Sequence, residues 1–172
     1  MDRTERIAMR MAEFFHAGHY RPHSNEPYVV HLASVAALVR SVPTHEPWML
    51  QAAWGHDLLE DTQATLSVLR ARLDPRAVEA IVWLSDHQIS GKNRVERKAR
   101  IRDKLIRAPG RVQTVKVADV IDNSRSIAQR NPDFARVYLP EQAALVDVLD
   151  QADPVLLGLA RRAIDVGISR LQ

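Results

Sequence analysis

The chain has 172 residues, of which 46% are hydrophobic, and this favours one compact domain over residues 1–172 with a sizeable core. It contains no cysteine, so disulfides and thiolate metal sites are excluded, and any metal must be held by His, Asp or Glu. The formal net charge of +3 is too small to indicate nucleic-acid binding by itself. The N-terminus lacks the apolar core of a signal peptide, and no apolar run approaches the roughly 20 residues of a membrane span. We therefore expect a soluble, cytoplasmic protein without a membrane partner.

Apolar residues recur at helical spacing along most of the chain, and no stretch alternates convincingly with the period of two that is typical of a strand. Asp74-Pro75 and Asp153-Pro154 each predict a helix start, with Asp as the N-cap and Pro in the first turn. These features predict an all-α fold, a single-domain bundle of about eight helices. The apolar stripes are Ile7, Met11, Phe14 and Phe15; Val35, Leu38 and Val39; Leu50, Ala53, Trp54 and Leu58; Val78, Ile81, Val82 and Leu84; Leu145, Val148 and Leu149; and Leu156, Leu159, Ala163 and Ile164.

Two segments need separate interpretation. Residues 17–27 interrupt the periodicity with glycine, proline and polar side chains, and they predict a polar loop, the kind of segment in which sites tend to occur. Residues 112–120 are rich in β-branched side chains and would also suit a strand. Because the helical spacing continues through Ile121 and Ile127, we prefer a helix there.

Basic residues are concentrated between positions 92 and 111, where Glu96 and Asp103 are the opposing acids. A solvated helix face would explain this concentration, and so would a positive field that attracts phosphate. The sequence leaves both explanations open. The basic residues are Lys92, Arg94, Arg97, Lys98, Arg100, Arg102, Lys104, Arg107 and Arg111.

The segment Trp54-Gly55-His56-Asp57-Leu58-Leu59-Glu60-Asp61-Thr62 places four ionisable groups at the end of an apolar helical pattern. His56 and Glu60 are four residues apart, as are Asp57 and Asp61, so each pair shares a helix face. Burying carboxylates is costly unless a cation or a hydrogen-bond network compensates. A divalent metal would compensate for this cluster.

Two further candidates for metal ligands lie elsewhere in apolar helical surroundings. His31 follows Pro27-Tyr28-Val29-Val30, and Asp119 is flanked by apolar residues on both sides. Each has an ordinary alternative, since His31 could be a capping or core histidine and Asp119 could pair with Lys116 or Arg125. Two imidazoles and two carboxylates form a mixed donor set that suits manganese, iron, zinc or a related ion. A water bound to such an ion becomes acidic and supplies a nucleophile near neutral pH.

The order H…HD…D resembles the HD superfamily of metal-dependent phosphohydrolases. Over about residues 10–130 the chain is similar to the RelA/SpoT-type hydrolase domain, whose members remove the 3′-pyrophosphate from (p)ppGpp. A further stretch, Leu84-Ser85-Asp86 followed by Glu96-Arg97-Lys98, resembles the stand-alone small alarmone hydrolases. The matching motifs are His16-Ala17-Gly18-His19-Tyr20-Arg21, Glu26-Pro27-Tyr28-Val29-Val30-His31, His56-Asp57-Leu58-Leu59-Glu60-Asp61-Thr62 and Lys116-Val117-Ala118-Asp119.

The resemblance implies a role for each matching residue. One divalent metal ion, manganese in that family, would be held by His31, His56, Asp57 and Asp119; Fe, Co, Ni, Zn or Mg would also suit these ligands. Glu60 and Asp61 would activate the water. The nucleotide substrate would be (p)ppGpp. Its contacts would be Arg21, Asn123 and Ser126, with Arg97, Lys98 and Arg100 offsetting its charge.

The chain also departs from the family pattern. His19 replaces a glutamine, Pro22 replaces a lysine, and Asn25 stands near a glycine in a loop that is one residue longer. Val120-Ile121-Asp122-Asn123 replaces Arg-Leu-His-Asn. We place both changes on the nucleotide side of the site, so hydrolysis is better supported than the choice of (p)ppGpp. A phosphohydrolase acting on another nucleotide is the alternative. A nucleotide sensor or nucleic-acid binder is a weaker one, and the sequence indicates no oligomeric state.

Overall fold

The computed structural model describes residues 1–22, 24–86, 91 and 93–172, and this part of the chain is helical apart from turns and one isolated antiparallel bridge between Tyr20 and Pro27. The predicted all-α fold is therefore confirmed. His23 and Lys92, which the sequence places in the polar loop and the basic stretch, lie outside the described residues. The helices are α1 Arg3–Phe15, α2 Tyr28–Arg40, α3 Pro47–Gly55, α4 Leu58–Asp61, α5 Leu66–Arg72, α6 Pro75–Leu84, α7 Arg94–Leu105, α8 Gly110–Arg130, α9 Pro132–Val146 and α10 Pro154–Ser169.

Side-chain caps determine where several of these helices begin. Asp74 accepts a hydrogen bond from the backbone N–H of Arg76, and Asp153 accepts from those of Val155 and Leu156. Both contacts satisfy backbone donors that a first helical turn leaves without a partner. The predicted starts of α6 and α10 are confirmed.

The apolar spacing predicts continuous helix from Leu50 to Leu58, but the helix is interrupted at the two residues between α3 and α4. Asp57 has φ −99° and ψ −1°, which departs from regular helical geometry. A Cβ atom on Gly55 would lie 2.7 Å from Cδ1 of Ile81, so glycine allows α6 to approach closely here. His56 keeps helical backbone angles, φ −60° and ψ −30°, so the departure from helical geometry lies at Asp57.

Helix α8 is the central element, since it contacts α2, α3, α6, α9 and α10. Residues 112–120 form part of α8, so the helical interpretation is confirmed. Their β-branched side chains are buried because neighbouring helices cover several faces of α8. Asp119 is only 6% exposed in this apolar setting, which makes its charge costly without a compensating partner.

The C-terminal helices continue the same core, with Leu156, Ala160 and Ile164 of α10 buried against α8 and α9. None of the helices in the described residues is both long and apolar enough to cross a membrane.

Several of the described basic residues of the 92–111 stretch are bound to neighbouring groups. Arg94 makes a two-pronged contact with Glu141, at 2.7 and 2.8 Å. Arg111 lies 3.1 Å from a carboxylate oxygen of Glu46. Lys104 donates to two backbone carbonyls, at 2.7 and 2.9 Å. These contacts favour the solvated helix face over a free phosphate-attracting field.

Candidate metal centre

Four side chains from distant parts of the sequence meet where α2, α3 and α8 contact one another. His31 Nε2 lies 3.3 Å from both His56 Nε2 and Asp119 Oδ1. Asp57 Oδ2 lies 3.0 Å from His56 Nε2 and 3.6 Å from His31 Nε2. Ligand atoms of His31, His56 and Asp119 all lie within 4.8 Å of one another, which is close enough to hold one metal ion. The structure thus brings the four predicted ligands to one point.

The second ring nitrogen of each imidazole already has an acceptor. His31 Nδ1 lies 2.7 Å from Asp122 Oδ2, and His56 Nδ1 lies 2.8 Å from the carbonyl oxygen of Ala53. An ionised carboxylate and a carbonyl can only accept, so each Nδ1 must carry the proton. If both rings are neutral, each Nε2 atom carries a lone pair. These two lone pairs then face each other and the carboxylate oxygens of Asp57 and Asp119. Such a set of acceptors requires positive charge, from ring protons or from a metal cation.

The pKa values of the cluster also indicate that the carboxylates require positive charge beside them. Burial lowers the pKa of His31, but hydrogen bonds to Asp119, Asp122 and Asp57 outweigh it and raise the pKa to about 9. The pKa of His56 is also raised, because attraction to Asp57 and Asp119 exceeds the effect of burial. The pKa values of Asp57 and Asp119 are lowered despite burial by their cationic neighbours. Both carboxylates are therefore ionised at neutral pH, as metal ligands must be.

Lys116 lies on the far side of Asp119, where its Nζ donates to Oδ2 at 2.9 Å. Burial lowers the pKa of Lys116, but the charges of Asp119 and Asp86 outweigh it and raise the pKa. The Lys116 ion pair considered for Asp119 is therefore present. It uses Oδ2 whereas Oδ1 faces the imidazoles, so the ion pair and a ligand role are compatible.

The two predicted catalytic acids lie one turn beyond Asp57, in α4. The Tyr28 hydroxyl lies 2.7 Å from Asp57 Oδ2 and 3.2 Å from Asp61 Oδ2, so it bridges the two carboxylates. Glu60 Oε1 accepts a hydrogen bond from the backbone N–H of Asp86. Although part of Glu60 reaches solvent, loss of hydration around its carboxylate and repulsion from Asp86 raise its pKa to about 7. Glu60 can therefore take up or release a proton near neutral pH.

The loop between α1 and α2 reaches the centre through Arg21. The Arg21 guanidinium donates to Asp122 Oδ2 at 2.9 Å and to Asn123 Oδ1 at 2.8 Å. Asn123 in turn donates to Asp119 Oδ1 at 2.6 Å.

Asn25, in the same loop, has φ +53°, a left-handed conformation that asparagine tolerates better than most residues. This conformation explains why asparagine stands near the position of the family's glycine.

A cavity of about 290 Å³ opens beside the centre. Arg21, Asn123 and Ser126, which the sequence predicts as substrate contacts, all line it. Phe134 and Tyr138 form an aromatic wall, with ring centroids 5.4 Å apart. A lining that combines polar groups with aromatic rings suits a ligand that combines phosphate with a flat base.

Arg97 and Lys98 do not line this cavity. Arg97 is exposed on α7, whereas Lys98 lies in a small recess of about 30 Å³ together with Asp86 and Lys116. Burial and repulsion from Lys116 lower the pKa of Lys98. Since Asp86 contacts Glu60 and Lys116 contacts Asp119, this recess borders the centre from the other side.

Two residues that contact the predicted ligands are not predicted from the sequence to do so. Tyr28 lies three residues before His31, and Asp122 lies three after Asp119. That spacing places each of them on the helix face of a ligand, so a signal was available. The assignment of the Asp122 departure to the nucleotide side alone is wrong, because Asp122 contacts His31.

Comparison with protein families matches residues 8–143 to a family model described as an HD domain. The match covers well over half of the chain and includes the four clustered residues. It confirms the resemblance inferred from the order of the motifs.

Proteins similar to this chain include one from Synechocystis and one of known structure. A protein of Synechocystis sp. (strain ATCC 27184 / PCC 6803 / Kazusa) named "Probable guanosine-3′,5′-bis(diphosphate) 3′-pyrophosphohydrolase" is 31% identical over 120 residues, 67% of this chain. The match covers only 16% of that protein's length. A solved structure described as a metazoan ortholog of SpoT that hydrolyzes ppGpp superposes with a TM-score of 0.88 over 96% of both chains, at 21% identity. This superposition agrees with the helical fold.

Proposed function

This chain belongs to the HD domain family, and we propose that it is a metal-dependent phosphohydrolase that removes the 3′-pyrophosphate from (p)ppGpp. The observation that carries the proposal is the convergence of two imidazoles and two carboxylates whose acceptor atoms face one point. The HD match and the two similar proteins support the same activity. The match to the Synechocystis protein spans about a sixth of that protein's length. We therefore assign its activity to this chain only as part of our proposal.

The donor set fits a divalent ion, which we propose is Mn²⁺ held by His31, His56, Asp57 and Asp119. When bound, such an ion supplies Lewis acidity, which neutralises charge on a phosphoryl oxygen and makes a water acidic. The hydrogen bonds from the two Nδ1 atoms orient both rings with Nε2 toward the point where the four side chains meet, so these residues would hold the ion there.

We assign proton transfer to the acidic pair of α4. Glu60 would accept the proton of the attacking water at its carboxylate, and its pKa of about 7 matches that task near neutral pH. Asp61 shares the Tyr28 hydroxyl with Asp57, so it is placed to orient the same water. Replacement of Glu60 by Gln should preserve metal binding and slow hydrolysis by about 10²-fold or more.

We assign nucleotide binding to the cavity beside Tyr28. Arg21, Asn123 and Ser126 would contact phosphate and ribose, and Phe134 with Tyr138 would face the base. Lys98 borders the centre from the recess side, where its charge would offset that of the substrate.

The decisive experiment measures pyrophosphate release from ppGpp by the purified protein with Mn²⁺, Zn²⁺, Mg²⁺ or EDTA. We expect Mn²⁺-dependent release that Asp57→Ala abolishes together with metal binding. No release from ppGpp, with cleavage of other nucleotides, would overturn the substrate assignment and leave the reaction class. Absence of cleavage with every metal and nucleotide would overturn both.

A second candidate, hydrolysis of another nucleotide, is favoured by one observation. Both terminal nitrogens of Arg21 are bound within the protein, to Asp122 and Asn123, so its guanidinium is partly committed before any substrate binds. A side-by-side panel of guanosine and adenosine nucleotides, with and without a 3′-phosphate, tests this alternative. A preference for substrates without the 3′-pyrophosphate would favour it.

A further inference from the structure

Asp122 is the carboxylate at the junction of the metal centre and the α1–α2 loop. Its Oδ2 lies 2.7 Å from His31 Nδ1 and accepts from Arg21 at 2.9 Å. The side chain is only 17% exposed, so water competes little for either contact. One oxygen thus binds a proposed ligand and a loop arginine at the same time.

A neutral histidine has two tautomers, and only the form with the proton on Nδ1 presents a lone pair at Nε2. An ionised Asp122 cannot donate, so it stabilises that form and also limits rotation of the ring. Burial raises the pKa of Asp122, but hydrogen bonds from His31 and Ser34 and the charges of His31 and Arg21 hold it below the usual value.

Arg21 extends the arrangement to a second ligand. Its other terminal nitrogen donates to Asn123, which donates to Asp119 Oδ1. A single loop residue therefore supports the groups that orient His31 and Asp119. The loop itself is closed by backbone hydrogen bonds from Arg21 to Glu26 and from Tyr28 to His19, both 2.9 Å long.

We propose that Asp122 is a positioning residue, which holds His31 with Nε2 toward the metal centre and couples metal binding to the α1–α2 loop through Arg21. The proposal rests on the metal centre of the proposed function but is independent of which nucleotide is hydrolysed. The coupling must be reciprocal, so a bound metal should stabilise the loop as the loop stabilises metal binding.

The first experiment measures Mn²⁺ affinity by calorimetry for the wild type, Asp122→Asn and Asp122→Ala. Loss of a residue that orients a metal-binding histidine typically weakens affinity about 10–100-fold. We expect about tenfold weaker binding for Asp122→Asn, which keeps the shape of the side chain, and a larger loss for Asp122→Ala. Asp165→Asn, which removes the same charge from an exposed position on α10, is the matched control and should bind as the wild type does.

The second experiment measures hydrogen exchange at the amides of Arg21 and Tyr28 with and without Mn²⁺. In the wild type, Mn²⁺ should slow exchange at both amides. In Asp122→Asn saturated with Mn²⁺, this slowing should be largely lost, although a purely structural role for Asp122 would leave it in place. Measuring at saturation separates the coupling from the weaker affinity.

Two outcomes would overturn the proposal. One is affinity within twofold of the wild type in both Asp122 variants, and the other is an unchanged response of the loop to Mn²⁺ in Asp122→Asn. A wild-type protein that binds no Mn²⁺, Zn²⁺ or other divalent ion would instead overturn the metal centre of the proposed function. The wild-type titration therefore distinguishes the two failures.

Discussion

Replacing Glu60 by Gln should make the metal-free protein more stable at alkaline pH. The pKa of Glu60 rises from 4.5 to about 7 on folding, so the folded protein binds its proton more tightly than the unfolded chain does. Between these pH values the folded state holds more protons, and its free energy of unfolding therefore falls as pH rises. The full shift would correspond to about 3 kcal/mol. Because Glu60 is partly exposed, we expect its ionisation above pH 7 to lower the free energy of unfolding by only about 1–2 kcal/mol.

Gln has the same shape and keeps an oxygen that can accept from the backbone N–H of Asp86. Urea unfolding with EDTA at pH 5 and pH 8 should therefore show little difference at pH 5 and a variant about 1–2 kcal/mol more stable at pH 8. Glu79→Gln, at an exposed position on α6, is the matched control and should show no such dependence. Equal or lower stability of Glu60→Gln at pH 8 would refute the reasoning.

Three further results are expected. Tyr28→Phe removes the hydroxyl 2.7 Å from Asp57, and calorimetry should show Mn²⁺ affinity about tenfold weaker; unchanged affinity would exclude an orienting role. Glu5→Ala leaves the buried indole N–H of Trp54 without its acceptor, and urea unfolding should show a loss of about 2 kcal/mol, whereas a loss below about 0.5 kcal/mol would contradict the assignment. Mn²⁺ at 100 times its Kd should raise the free energy of unfolding by about 2.7 kcal/mol, and EDTA should reverse this in thermal denaturation; no shift would mean that the ion does not bind the folded state selectively.

Helical segments can be predicted from local signals, whereas the interruption between α3 and α4 cannot. The Asp-Pro pairs at 74–75 and 153–154 predict helix starts because a side-chain cap acts within three residues. The apolar spacing from Leu50 to Leu58 predicts an unbroken helix, because the spacing of apolar residues does not indicate where the backbone leaves helical geometry. Gly55 allows the close approach of Ile81, a contact 26 positions away that no local pattern contains.

The proposed ligands were predictable for a different reason. A charged residue such as Asp119 among buried apolar neighbours is costly, so the sequence itself indicates that something must compensate. The identity of the compensating group requires the tertiary structure. Lys116 takes one oxygen of Asp119, and Asn123 and the imidazoles take the other.

Orientation was harder to predict than composition. Asp122 differs from the family pattern, and from the sequence this difference concerns only substrate choice. In the structure the same carboxylate contacts His31, 91 residues earlier, and Arg21, 101 residues earlier. A departure that the sequence places on the substrate side therefore also contacts a proposed metal ligand. Changes in substrate preference and changes in metal affinity should consequently occur together in variants of Asp122 and Arg21, since both residues line the cavity side or contact a residue that does, and both contact groups that orient a proposed ligand.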